Sequence, residues 1–240
     1  MSANHPQHGA RTTRLQELDP GIWTLEGDPI RFLSFPYELR STIVDLGNGS
    51  LFVHSPVQLS IARRSIDAVG HVSYIVAPNK LHHLFLGEWA AAYPDAKLYA
   101  PPGLRDKRPD LQFFADLEDH AEPPWQSTLR QRVVRGSFFM EEVVFFHIAS
   151  RTLILGDLVE NHDPAKFGAI HRLGARANKM LAPNGSTPWN YRLTFLRRAD
   201  ARRSVEEILS WAPRRVVVMH GPCVEDNASQ FLHNAFGWLL

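Results

Sequence analysis

Apolar residues recur with two different periods along the chain, and the switches between them mark out its elements. Between Leu15 and Pro56 the segments GIWTLEG, PIRFLSF, STIVDLG and SLFVHSP read as short strands bounded by Gly and Pro, which predicts an antiparallel group. At VQLSIARRSIDAVG the period lengthens: Val57, Ile61, Ile66 and Val69 fall on one flank of a helix that Gly70 ends. HVSYIVAP is almost continuously apolar and predicts a strand covered on both faces. LFLGEWAAAYP is a second helix, with Leu84, Trp89, Ala92 and Tyr93 available for packing, and AKLYAPPGL is a strand running into a loop.

From Asp106 to Trp125 charge and Pro dominate, so this stretch is expected as an excursion over the surface. RQRVVRG, EEVVFFHIAS and RTLILGDLVEN form a second strand group, with a hairpin about Ala149 to Arg151. Residues 162–192 mix a helical piece (PAKFGAIHRLGARANKML) with a loop (APNGSTPWN) in which Trp189 is placed to cover a pocket. Then follow a helix (ADARRSVEEILSWAP), a buried strand (RRVVVMHG) and an amphipathic helix (VEDNASQFLHNAFGWLL). Two separate hairpin-rich groups predict two sheets with helices outside them better than a single doubly wound sheet. No linker divides the chain, so the expected organisation is a polar, mobile tail over 1–14, where His5 and His8 are solvated, and one domain over 15–240.

Composition narrows the chemistry. At 240 residues with 44% hydrophobic side chains, a core forms without help from metal or disulfides. Cys223 is the single cysteine, which excludes an internal disulfide and Cys-rich zinc sites, whereas 12 His leave imidazole and carboxylate as the metal-binding groups. Lys and Arg number 26 against 25 Asp and Glu, with no long run of one sign, so composition calls for neither nucleic acid nor an anionic membrane as partner. The N-terminal segment lacks the apolar core of a signal peptide, and the expected location is the cytoplasm. The expected partner is a small-molecule substrate. Oligomeric state is not legible, although FGWLL packs either on its own sheet or on a neighbour.

Chemistry-bearing side chains gather where apolar strands end, positions that hold them rigidly and open onto solvent. These are His54 in SLFVHSP, the run Asn79, Lys80, His82 and His83 in APNKLHH, Asp157 in TLILGDLVEN, and His220 in VVVMHGP. Adjacent His82 and His83 have three readings: a helix cap beside a surface residue, a pair of metal ligands, or one ligand and one acid/base group. Asp157 ends an apolar strand, where a cap of the next turn or a cation answers its burial cost. His220, held between an apolar run and Gly-Pro, is a ready ligand through neutral imidazole. Together His82, His83, Asp157 and His220 make a set suited to Zn²⁺ or Fe²⁺. GxSxG, P-loop, GxGxxG-after-strand and HExxH patterns do not occur.

With SPVQL, APNKLHHLFLGEWAAAYPDAKLYAPPGL, EEVVFFH, RTLILGDLVEN and HGPCVED, the chain resembles, from about Leu15 onward, a bacterial family of unknown function at the margin of the metallo-β-lactamase superfamily. The resemblance implies an α/β fold of the four-layer αββα type, with the site where the sheets meet. Laying the superfamily's HxHxDH motif on this chain puts its first two His on Pro78 and Lys80, and its next His near Ser137 to Phe139, where none occurs. The implied remainder is one divalent transition metal, Zn or Fe, on His82, His83, Asp157 and His220. In that reading Lys80 binds an anionic group of the substrate and Glu141 or Glu142 supplies a further oxygen ligand or a base. His54 and Asn79 stand beside the ligands. The implied activity is hydrolysis of a small ester, lactone, thioester or phosphodiester; the alternatives are a metal-free or non-catalytic binding member of the fold and an iron-dependent oxidoreductase.

Overall fold

The computed structural model describes residues 15–32, 35–47 and 49–240, with the side chain of Phe32 excluded. The expected tail over 1–14, together with Leu33 and Ser34 of the PIRFLSF strand, lies outside the described residues. Six strands come first: β1 (Leu15–Asp19), β2 (Ile22–Glu26), β3 (Ile30–Phe32), β4 (Phe35–Tyr37), β5 (Arg40–Asp45) and β6 (Ser50–His54). Helix α1 (Leu59–Asp67), β7 (His71–Val76), α2 (Leu86–Ala92), β8 (Lys97–Ala100), α3 (Leu104–Lys107) and β9 (Ala115–Asp116) follow. The second strand group is β10 (Leu129–Val134), β11 (Glu142–His147) and β12 (Thr152–Ile154). After it come α4 (Ala169–Ala177), α5 (Trp189–Arg192), α6 (Arg198–Ser210), β13 (Arg215–Val217) and α7 (Ala228–Phe236).

The strands form a seven-stranded sheet in the order β1-β2-β5-β6-β7-β8-β9, a four-stranded sheet in the order β10-β11-β12-β13, and the small β3-β4 hairpin. Pairing is antiparallel up to β6 and parallel from β6 to β9; in the smaller sheet only β12 and β13 run parallel. Alternation along each strand builds three apolar layers. Phe52 and Val44 of the larger sheet meet Val143, Phe145, Ile154 and Val217 of the smaller one between the sheets. Leu51 and Val53 point the other way, onto Ala62 and Ile66 of α1 and Trp89 of α2. On the far side Val144, Leu153 and Val216 pack under α6 and α7. The result is a four-layer αββα sandwich, each sheet buried on both faces, which explains why its strands read as near-continuous apolar runs.

Three details depart from the sequence reading, and one open alternative is resolved. Helix α1 buries Leu59, Ala62 and Ile66 while Ile61 is half-buried, a rotation of the expected flank that lets the small Ala62 approach the sheet. Leu84, expected to pack, is exposed because the helix begins only at Leu86. The expected surface excursion from Asp106 to Trp125 adds the edge strand β9 to β8 and buries Trp125, whose ring stands edge-on to Phe52 at 5.2 Å and to Tyr99 at 4.9 Å. Its few large apolar residues, Phe113, Leu117 and Trp125, do the anchoring among many charges. At the other end, Phe236 and Leu239 of FGWLL pack beneath the chain's own smaller sheet. Among the described residues no helix is long and apolar enough to cross a membrane.

Candidate metal centre

The ends of β6, β7, β12 and β13 open onto one cavity of about 610 Å³, so Ser55, His82, Asp157 and His220, which follow those strands, share its wall. Asp157 Oδ1 lies 2.9 Å from Nε2 of His220 and 3.1 Å from Nε2 of His82. One ligand atom from each of the three lies within 4.8 Å of the others. The outer nitrogens are also engaged. His220 Nδ1 donates to the carbonyl oxygen of Glu38 at 2.6 Å, and because a carbonyl only accepts, this nitrogen carries a proton. His82 Nδ1 lies 2.7 Å from Ser55 Oγ. Ser55 reaches it from a left-handed backbone (φ 53°), a conformation that a non-glycine residue rarely adopts and that places its hydroxyl at the strand end.

Beneath this cluster sits a buried network that fixes Asp157. Asn79 Nδ2 donates to Asp157 Oδ2 and to Glu142 Oε2, both at 3.0 Å. Glu142 also accepts the backbone N–H groups of Gly156 (2.8 Å), Asp157 (2.7 Å) and Leu158 (3.0 Å). A Cβ on Gly156 would lie 2.8 Å from Glu142 Oε2 and 2.9 Å from Pro78, so only glycine allows this close approach. Burial, with the Asp157 charge, pushes the Glu142 carboxyl up to about 8 against those hydrogen bonds. Burial also opposes ionisation of Asp157, yet the His82 and His220 imidazoles outweigh it and hold its carboxyl well below the usual range. His220 is the converse: burial disfavours its cation, and Asp157 raises it to about 9.

Two imidazole nitrogens and a carboxylate oxygen converge here, and the remaining polar atoms of those side chains are held by Glu38, Ser55 and Asn79. This donor set fits a transition ion such as Zn²⁺ or Fe²⁺, with coordination positions left for other groups, and the supporting hydrogen bonds are those that orient metal-binding His and carboxylate.

The structure corrects several expected roles. His83 stands apart from the cluster: consecutive turns over 80–85 send neighbouring side chains in different directions, and its Nδ1 faces Arg108 Nη1 at 3.4 Å. Burial and the nearby Lys107 and Arg108 lower its pKa. Lys80 is not in the cavity wall; its ammonium lies over the Phe139 ring, 5.4 Å from the centroid. Glu141 also lies outside that wall, ion-paired to Arg135 (3.2 Å) and Arg197 (3.8 Å), because adjacent positions entering a strand face opposite ways. His54 is wholly buried against Phe145, and among the described residues neither ring nitrogen has a hydrogen-bond partner, so Ser55 rather than His54 supports His82. Burial, followed by the charge of His82, lowers the His54 pKa to about 3. Trp189 is half exposed outside the cavity wall, which its neighbours Pro188 and Asn190 line.

Other residues were not visible in the sequence as site residues. Glu160 lines the cavity and lies 2.7 Å from Nε2 of the buried His162, whose ring stacks on His220 at 6.0 Å. Their i, i+2 spacing in an extended segment, which places both on one side, was the available signal. Tyr37 stands edge-on to His220 at 5.0 Å, and burial with the charges of Glu160 and Asp157 raises its phenol pKa. Arg40 reaches from β5 to the loop after β13, donating to the carbonyls of Val218 and Gly221 (2.7 Å to the latter) and to Glu26 (2.6 Å). Gly221 itself has φ +99°, and a Cβ there would lie 2.0 Å from the Asn161 carbonyl oxygen.

Comparison with known proteins assigns this architecture. A family sequence model described as "Domain of unknown function (DUF4336)" matches residues 20–185. The chain belongs to the DUF4336 family. A search of curated protein sequences finds no match. Among solved structures, this DUF4336 protein is similar to a metallo-β-lactamase from Erythrobacter litoralis with β-mercaptoethanol in its active site, at 14% identity and a TM-score of 0.65, covering 95% of this chain and 99% of that one. A metallo-β-lactamase from Pontibacter korlensis matches at 10% identity and a TM-score of 0.64, over 94% and 97% of the two chains. The rubredoxin oxygen:oxidoreductase from Desulfovibrio gigas matches at 12% identity and a TM-score of 0.66, over 94% of this chain and 61% of its own. The DUF4336 chain thus has the metallo-β-lactamase fold and belongs to a divergent family within it.

Proposed function

We propose that this protein is a metal-dependent hydrolase, with one transition ion held by His82, Asp157 and His220, that cleaves a small apolar ester, lactone, thioester or phosphodiester. The observation that carries the reading is the convergence of His82 Nε2, His220 Nε2 and Asp157 Oδ1 at the wall of a mostly apolar cavity. An ion held there supplies Lewis acidity toward a carbonyl or phosphoryl oxygen and lowers the pKa of water. Three protein ligands with an open position suit that chemistry.

The chain's own residues complete the reading. Asn79 and Glu142 fix Asp157, Glu38 and Ser55 fix the two imidazoles, and Leu39, Val57 and Met140 in the cavity wall favour an apolar substrate body. Glu160, which lines the cavity and is oriented by His162, would take a proton from attacking water, the role expected of Glu141 or Glu142.

The test is metal content and turnover together. Protein purified without chelator should hold about one equivalent of zinc or iron and hydrolyse at least one member of a panel covering those four bond types; His220→Ala should lose both. Metal-free wild type with no turnover would sink the reading and favour a binding member of the fold. A second reading, an iron-dependent oxidoreductase, is favoured by the donor set itself, since two His and one carboxylate with open positions also suit Fe²⁺. Selective iron occupancy after anaerobic purification, with no hydrolysis by either metal form, would favour it.

A further inference from the structure

We propose that the rim of the cavity is a docking surface for a bilayer carrying anionic lipid headgroups, with α4 lying in the interface. The proposal does not depend on whether the centre holds a metal.

The first observation is misplaced apolar surface. On α4, Ile170 is 85% and Leu173 71% exposed, three residues apart and therefore on one face. Around the same mouth Leu84 is 55% and Phe139 43% exposed, and both line the cavity together with Ile170. The surface continues past the end of α4: Trp189, 52% exposed, donates its backbone N–H to the Asn178 carbonyl at 3.2 Å. Leu193, 59% exposed, precedes Thr194, whose carbonyl accepts from Phe138 at 3.1 Å. An apolar surface that is continuous around a cavity mouth marks an interaction site, whereas single exposed side chains do not.

The second observation is charge segregation. Between Pro164 and Arg198 the chain carries seven Lys or Arg and no Asp or Glu, although 26 basic and 25 acidic residues balance over its length. Six of the seven are exposed; only Arg192 is buried. Arg172, Arg176 and Lys179, on and just after α4, make no ion pair among the described residues. Whole-chain composition hides this arrangement, which is why it gave no reason to expect a membrane.

Exposed Ile and Leu on one side of a helix, unpaired Arg and Lys beside them and a Trp at the margin are the pattern of a segment that lies in a lipid interface. A second copy of the chain fits less well. A twofold contact through this patch would bring Arg172, Arg176 and Lys179 of both copies together and leave their repulsion unanswered. Acidic headgroups answer that charge while the acyl boundary takes Ile170 and Leu173. The cavity, opening within the patch, would then admit apolar molecules directly from the bilayer.

Vesicle cosedimentation of the full chain tests this, using phosphatidylcholine alone and phosphatidylcholine with one-third phosphatidylglycerol. Partitioning onto the anionic vesicles should exceed that onto neutral ones by about tenfold and fall as salt is raised. Arg172→Glu/Arg176→Glu should remove most of it, and Ile170→Ser/Leu173→Ser should weaken it by about tenfold; all four side chains are exposed, so melting temperatures should change little, the largest change coming from loss of the Arg172 hydrogen bond to the Phe167 carbonyl. If the charge reversal prevents folding, Arg172→Gln/Arg176→Gln should give the same direction of change. Equal partitioning onto both vesicle types, or none onto either, overturns the proposal. So does dimerisation that Ile170→Ser/Leu173→Ser abolishes in a protein that ignores vesicles, which would assign the patch to a second copy.

Discussion

Glu142 Oε2 accepts the backbone N–H of Asp157 at 2.7 Å, so the residue after Met140 and Glu141 holds in place the turn that presents the central carboxylate. Two neighbouring backbone N–H groups and Asn79 end on the same buried side chain. Glu142→Ala would strand these donors at a cost of about 3 kcal/mol or more. Urea denaturation should report that loss, and the variant should also bind zinc more weakly; wild-type stability would contradict the account of Glu142 as the support of the turn.

The geometry separates His83 from His82. His82→Ala, Asp157→Ala and His220→Ala should each abolish stoichiometric metal binding, because a three-donor site has no spare ligand. His83→Ala should retain it. Metal content by mass spectrometry on dialysed proteins decides the matter, and equal losses in all four variants would restore His83 to the ligand set.

Glu160 is expected to act on protons rather than on the metal. Glu160→Gln should lower kcat about a hundredfold or more with metal content unchanged, whereas Glu141→Gln should leave kcat near wild type. A Glu160→Gln enzyme with undiminished kcat would remove Glu160 from the chemistry.

Away from the site, His147 gives a pH signature. It is buried on β11 with its Nδ1 2.7 Å from Ser150 Oγ, and burial lowers its pKa despite the opposing charge of Asp19. The folded protein therefore disfavours the imidazolium, while the unfolded chain takes up its proton near about pH 6.5. Stability from this residue is complete above that value and declines as pH falls toward the lower, folded-state pKa. His147→Gln should lose stability less steeply than wild type between about pH 7 and pH 5, measured by denaturant melts at each pH; parallel curves would refute it.

Arg40 joins the two sheets through carbonyls of the segment that carries His220. Arg40→Met keeps much of the aliphatic stem but leaves the Val218 and Gly221 carbonyls without their donor. The expected loss is about 2–3 kcal/mol, together with weaker metal binding. A stable variant with unchanged affinity would show that Arg40 does not help to position His220.

The layers of the sandwich were legible because both faces of each sheet are covered, which turns strands such as β7 and β11 into nearly unbroken apolar runs, and because α6 and α7 keep a helical period. Asp157 and His220 could be singled out for a related reason: each is a polar residue set abruptly after an apolar strand. What the chain did not disclose is direction. His82 and His83 are identical as letters, and only the turn geometry sends one to Asp157 and the other to Arg108. Likewise Glu141 and Glu142 divide between an arginine pair and the buried turn. Ser55, Tyr37 and Arg40 escaped notice because their partners lie far away in sequence, so no local pattern connects them to the site.

That separation also bears on the order of assembly. His220 meets Asp157 across 63 positions and Glu38 across 182. Contacts this distant require large loops to close before they return any stabilising energy. The centre is therefore a late product of folding: β10, β11 and β12 can pair locally, but β12 meets β13 across the same 63 positions that separate Asp157 from His220, and His82 joins them only when the two sheets dock.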